Sequence, residues 1–400
     1  MMIDCKHDFP QLDRKIDGKS ICYLDSASTT LKPRSVLEAE KRYNEYFCAN
    51  IHRGQSILSE EASFHYEQAR RTVAAFINAE YQEVVFTLNS TSALNLIADG
   101  LNLTDNDTIA CHLNAHHSNI LPWMSRANVK FIDQDPLSPL QLDDVARVIE
   151  EIKPKILAIT WVSNVNGIEQ AVEDICQLAR DKNTITVIDA AQYIPHKPIN
   201  VKQLGCDFLT FSGHKMLGPS GTGVLWGRED RLQALTPKML GGGSINTVDL
   251  MGYELKAVPY RFEAGTPNIA GVIGLAAAID YLSNIGYEKI HQHDTFLANR
   301  VVTGLRTITG IEILHTNPLE ITNPLISIRA RNKMMNPDLL CRMLSDNYKI
   351  MTRSGTHCAH PMFNALELST GSLRISPYIY TTGADIDLSL RAIEEILWMF

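Results

Sequence analysis

Short apolar runs that alternate with amphipathic stretches are the feature of this 400-residue chain that most restricts its fold. The runs are EVVFTL (83–88), TIACH (108–112), KILAITWV (155–162), TITVIDA (184–190), DFLTFS (207–212) and TGVLWG (222–227). Between them, residues 61–77 put Ala62, Tyr66, Ala69, Val73 and Phe76 on one helical stripe. Residues 169–182 do the same with Val172, Ile175, Cys176 and Ala179. Strands alternating with helices predict an α/β fold with a large mixed, mostly parallel sheet. Past residue 290 the texture changes. ITNPLISIRA and GSLRISPYIY read as strands, beside helical DLLCRMLSDN and DIDLSLRAIEEILWMF. The reading is a major domain over 21–285 and a smaller α+β domain built from 1–20 and 290–400. The helix-rich stretch from 269 to about 304 joins them.

Composition narrows the function. A net charge of -8 with 45% hydrophobic residues argues against a phosphate-backbone binder, so no nucleic acid is expected. The opening MMIDCKHDFPQLDRKIDGKS is polar and unlike a secretory signal. Apolar runs such as IGLAAAIDYL meet a charge well short of the roughly 20 residues a membrane helix needs. The expectation is a cytoplasmic protein with no membrane contact. The cysteines at 5, 22, 48, 111, 176, 206, 341 and 358 include no CxxC pair and no zinc-like spacing. They are expected to be free thiols, mostly buried, with no metal site.

The chemistry concentrates where strands end. DFLTFSGHKMLGPSGTGVLWG (207–227) ends a strand at Ser212-Gly213-His214-Lys215. A lysine among small residues at such an edge has room to form a Schiff base with an aldehyde cofactor. An ordinary loop lysine fits the same segment. VIDAAQ places Asp189 at the end of a very apolar strand, and a buried carboxylate requires a partner. A protonated pyridine nitrogen supplies one, with Gln192 in reach of a phenolic oxygen. A turn-capping aspartate is the plainer reading. In TLNSTSALNLIADGL (87–101), Ser90 and Thr91 open a helix whose free N–H groups suit a phosphate, or simply cap it. Ser212 and His214 could add contacts to the same group.

Four further positions join this set. His116, in NAHHSNILPW, could lie flat on an aromatic ring. Asn164, in WVSNVNG, follows a strand and could touch cofactor or substrate. Cys358, in RSGTHCAHP (353–361), lies in a polar loop beside Arg353, His357 and His360, where positive charge favours thiolate. Arg374, in GSLRISPYIY, is a strand arginine suited to a carboxylate grip or to an internal salt bridge.

Together these segments resemble the class V aminotransferase superfamily, fold type I, and within it the group II cysteine desulfurases (the SufS/CsdA-like enzymes), which include selenocysteine lyases. The likeness runs through YLDSASTTLKP (23–33), NIHRGQSILS (50–59), VSNVNG, VIDAAQ, SGHK, GGGSI (241–245), RFEAGTPN (261–268) and RSGTHCAHP. It implies pyridoxal 5'-phosphate (PLP) as cofactor, L-cysteine or L-selenocysteine as substrate, a homodimer, and a SufE-like or SufU-like sulfur acceptor serving iron–sulfur or other thio-cofactor assembly. It makes Lys215 the Schiff-base lysine, Asp189 the pyridinium partner and His116 the stacking ring. Gln192 would meet the phenolic oxygen. Thr91, Ser212 and His214 would hold the phosphate, and Thr266 would reach the phosphate of the neighbouring subunit. Asn164, Arg353 and Arg374 would bind substrate, and Cys358 would accept sulfur. The chain departs from the family pattern at Asn89-Ser90-Thr91-Ser92 (Gly-Thr-Thr-Glu), Ala115 (Glu), Thr356-His357 (His-His) and Thr381 (Asn). Other lyases on the same framework, a nucleotide-binding module built on GPSGTG (218–223), and a catalytically silent assembly subunit are the competing readings. The GPSGTG segment leads into a strand, whereas a phosphate loop leads into a helix.

Overall fold

The apolar runs do fold as strands. In the computed structural model, which describes residues 3–321, 323–332 and 334–400, they are β1 (Val84–Thr87), β2 (Thr108–His112), β4 (Ile156–Thr160), β5 (Ile185–Asp189), β6 (Phe208–Ser212) and β7 (Gly223–Gly227). One strand the runs did not announce, β3 (Asn128–Ile132), completes a seven-stranded sheet of order β1-β7-β6-β5-β4-β2-β3. Only β7 runs antiparallel, to both β1 and β6. The other pairs are parallel. The sequence misses β3 because it is an edge strand: four of its five residues are half-buried or exposed, so it carries no continuous apolar run. By contrast all five residues of β4, β6 and β7 are buried, as expected of strands covered on both faces.

Helices cover each face. On one side α1 (Arg34–Tyr46), α2 (Ile57–Phe76), α4 (Val172–Asp181) and α5 (Ile269–Ile285) share a core that contains Tyr66, Val73, Ile175, Leu209 and Leu275. On the other, α3 (Ser90–Gly100) buries Ala93, Leu94 and Ile97 against Val85, Ile109 and Leu225. The two stripes read from sequence face inward, with Phe76 only half-buried at the end of α2.

After α5, Gly286 takes a φ of 87°, which side chains rarely adopt, and the chain turns 79° into α6 (Tyr287–Thr307). Among the described residues no single helix is long and apolar enough to cross a membrane. Four antiparallel strands follow: β8 (Ile311–Ile313), β9 (Ile326–Ala330), β10 (Arg353–Gly355) and β11 (Ser372–Ile375), in the order β8-β9-β11-β10. With α6 and α8 (Gly383–Leu397) they enclose a separate core around Val301, Ile326, Leu373 and Ile393. Arg353-Ser354-Gly355, read from sequence as the start of a loop, is thus a strand. The loop proper spans Thr356–Ala359 and ends at α7 (His360–Ala365).

The N-terminal segment binds these parts together. Cys22–Tyr23 pairs in parallel with Ile350–Met351. Phe9 packs edge-on against Tyr281 of α5 and against Tyr380. All eight cysteines are free. Five are buried, Cys341 is half-buried, and Cys48 and Cys358 are exposed.

Candidate active site

Parallel strands all end on one side, so the residues that follow them converge there. β5 ends at Asp189, flanked in register by Thr160 of β4 and Thr210 of β6. The turns after β2, β4 and β6 deliver His116, Asn164 and Lys215, and Asn89 caps α3 directly after β1. The smaller sheet closes the other wall. The His117 N–H donates to the Cys358 carbonyl at 2.8 Å, and the Asn164 amide donates to the His357 carbonyl at 2.6 Å. The result is a cavity of about 540 Å³ lined by Lys215, Asp189, His116, Asn164, Cys358, Arg353 and Arg374. Asn89, Ser90, Thr91, Ser212 and His214 line it as well.

Electrostatics follow from burial. Desolvation pulls the Lys215 ammonium below its ordinary pKa; Asp189 opposes this and Arg374 adds to it. Desolvation raises Asp189, while Lys215, the Ala191 N–H and the Ser90 hydroxyl hold it down. The His116 imidazole is pushed to about 3 by burial and by Lys215. Its Nδ1 accepts from the Ser118 N–H at 3.1 Å, which fixes a neutral ring with the proton on Nε2. His357 falls to about 3 through burial and Arg374, and its Nε2 sits 3.0 Å from the Ser372 hydroxyl.

Most of the expected site residues line this cavity; Ser90, Gln192 and Thr91 differ in what they touch, and Thr266 lies elsewhere. Ser90 uses its hydroxyl on Asp189 Oδ1 (3.0 Å) and on the Thr210 hydroxyl (2.6 Å), while its N–H donates to Ser212 Oγ (2.9 Å). It therefore buttresses the carboxylate. Gln192 donates to the Ala27 carbonyl at 2.7 Å, behind the cavity wall. Thr266 lies outside this cavity, in a cleft with His52, Arg53, Gly243 and Lys256. Thr91 is exposed, and its hydroxyl bonds Ser118 Oγ at 2.6 Å. Sequence reasoning assigned no role to Asp25, Ser28 or Ser118. Asp25 and Ser28 stand in YLDSASTTLKP, where they bond each other locally, but they reach Arg353 and Arg374 only once β10 and β11 fold over the segment.

The donor set fits PLP. Lys215 offers an amine whose lowered pKa favours the neutral form. Asp189 has Oδ1 fixed by two donors, while Oδ2 accepts no hydrogen bond among the described residues. The start of α3, Ser212 and His214 also line the cavity, where the positive end of the helix dipole would favour an anion. Asn164 Oδ1, His357 Nδ1 and Arg374 Nε are buried without partners among the described residues, an arrangement that calls for a bound polar molecule.

Residues 22–388 match the Aminotransferase class-V family. A probable cysteine desulfurase of Streptomyces coelicolor is 38% identical over 405 residues, covering 98% of this chain and 96% of its own. One from Pyrococcus abyssi is 38% identical, covering 95% of each. Among solved structures, the cysteine desulfurase of Thermococcus onnurineus superposes with a TM-score of 0.93 at 36% identity, covering 100% of this chain and 99% of its own. The Escherichia coli cysteine desulfurase CsdA gives 0.87 at 30%, covering 99% and 98%. The chain belongs to the class-V aminotransferase family.

Proposed function

We propose that this protein is a PLP-dependent cysteine desulfurase that takes sulfur from L-cysteine onto Cys358 and releases L-alanine. The observation that carries the reading is that Lys215 and Cys358, from two different sheets, line one cavity. Relatives at 38% identity named as cysteine desulfurases support it.

Arg374, with Asn164 beside it, binds the substrate carboxylate and fixes Cα over Lys215. The Lys215 amine, whose burial lowers its pKa, takes the proton from Cα. Asp189, His116, Lys215 and the start of α3 would hold PLP, which would supply the electron sink for that charge. Asp189 would keep a proton on the ring nitrogen, and the neutral His116 ring would cover the cofactor without adding charge. Cys358, as thiolate, attacks the substrate Sγ. An S–S bond forms and the Cβ–Sγ bond breaks, its electron pair staying with Cβ; Cβ gains a proton, Lys215 returns one to Cα, and alanine is complete. Cys358 suits this step because it is exposed on a loop, where it and His357 take φ values of 58° and 47°. A SufE-like or SufU-like acceptor would then collect the persulfide for iron–sulfur or other thio-cofactor assembly in the cytoplasm. Thr266 would complete the site of a second subunit.

The test is purified protein with L-cysteine, with alanine measured and Cys358 mass-mapped for one extra sulfur. Cys358→Ser should retain the cofactor's absorbance and still bind cysteine, with no persulfide. Undiminished cysteine turnover by that variant would overturn the assignment.

A further inference from the structure

Arg353 and Arg374 are direct cross-strand partners on β10 and β11. Two cations opposite each other repel, so something must hold them together. The Ser28 hydroxyl accepts from Arg353 Nη1 at 2.6 Å and from Arg374 Nη2 at 2.6 Å. Its own proton goes to Asp25 Oδ1 at 2.5 Å. A hydroxyl has one proton and two lone pairs, so every bond it can make is used. Asp25 Oδ1 also takes Arg374 Nη2 at 3.2 Å, and the Asn164 carbonyl takes Arg374 Nη1 at 2.8 Å. The guanidinium is thus clamped at both terminal nitrogens. Its Nε stays buried without a partner among the described residues, in the cavity wall that Ser28 also lines.

We infer that Ser28 is a positioning residue for substrate recognition: its hydroxyl sets the angle between the two guanidiniums and so tunes the site for an α-carboxylate. The inference rests on the cysteine desulfurase reading and deepens it. With alanine at this position, Asp25 could still neutralise Arg374, but Arg353 would lose its link to the pair. The carboxylate would then meet one fixed cation and one wandering cation. A serine serving only to close the Asp25–Ser28 turn would leave carboxylate recognition unchanged.

The experiment compares wild type, Ser28→Ala and Ser28→Thr as PLP-loaded holoenzymes. Ser28→Ala should raise KM for L-cysteine about tenfold, the scale of losing hydrogen bonds to charged groups, with kcat within about twofold. Calorimetric binding of L-alanine should weaken in parallel, whereas L-alaninamide, which lacks the carboxylate, should bind as before. Ser28→Thr keeps the hydroxyl and should restore the wild-type KM to within about threefold. An unchanged KM in Ser28→Ala, or equal losses for L-alanine and L-alaninamide, overturns the inference. If Ser28→Ala does not fold, the threonine variant decides, and a KM raised as far as tenfold there also overturns it. Failure of wild type to form alanine from cysteine would instead sink the functional reading, so the two failures are told apart.

Discussion

The Ser90 hydroxyl donates to Asp189 Oδ1 at 3.0 Å, joining the first residue of α3 to the last residue of β5. This bond stabilises the charged carboxylate against burial, which otherwise drives it toward the neutral acid. Ser90→Ala should raise the Asp189 pKa further. A weaker hold on the cofactor's ring proton follows, with kcat reduced about tenfold and the acid limb of the kcat profile moved to higher pH. Steady-state kinetics from pH 5 to 9, with the cofactor's absorbance recorded alongside, check this. A profile that keeps its acid limb would show that Ser90 acts only on packing.

Arg374→Lys tests the carboxylate grip. The guanidinium reaches the Asn164 carbonyl, Asp25 and Ser28 through a planar fork whose geometry a compact ammonium does not reproduce. The expected outcome is a KM for L-cysteine raised on the order of a hundredfold, with a smaller fall in kcat. Comparable losses in kcat alone would place Arg374 outside substrate binding.

Gly223 opens β7 against the turn that leads into α3. A Cβ there would stand 2.4 Å from the Asn89 Cα, a contact with backbone that cannot be relieved by side-chain rotation. Gly223→Ala should therefore push the cap of α3 away from Ser212, lowering stability by about 1–3 kcal/mol and weakening PLP retention. Denaturant titration and dialysis against cofactor-free buffer measure the two effects. A variant of unaltered stability would mean the turn has slack absent from this packing.

Stability should also fall with acid. Burial depresses His112 to about 4 and His357 to about 3, below the ordinary histidine value. The unfolded chain binds these protons first, so each histidine leaves stability intact above about pH 6.5 and erodes it as pH falls toward the folded value. Melting temperatures across pH 7 to 4 should decline, and His357→Gln should flatten part of the decline. A slope identical in that variant would assign it to other groups.

Much of the arrangement was legible along the chain. Lys215 and Asp189 follow apolar runs long enough to be buried strands, and in a parallel sheet the ends of such strands share one side. The edge strand β3 escaped because partial exposure removes the apolar run that marks a strand. The strand at Arg353–Gly355 escaped because its residues are polar and glycine-rich; pairing with β11 supplies what its side chains do not.

Sequence alone therefore determined which groups end up at the strand termini, since hydrophobic periodicity is local and decides where strands stop. It could not determine which groups those side chains touch. Asp25 and Ser28 meet Arg353 and Arg374 across more than 300 positions of chain. Ser90 turned out to buttress Asp189 because strand order, a property of the whole packed sheet, brings β1 and β5 within reach of one helix start. Such contacts depend on distances in space between segments remote in the chain, and no local pattern encodes them.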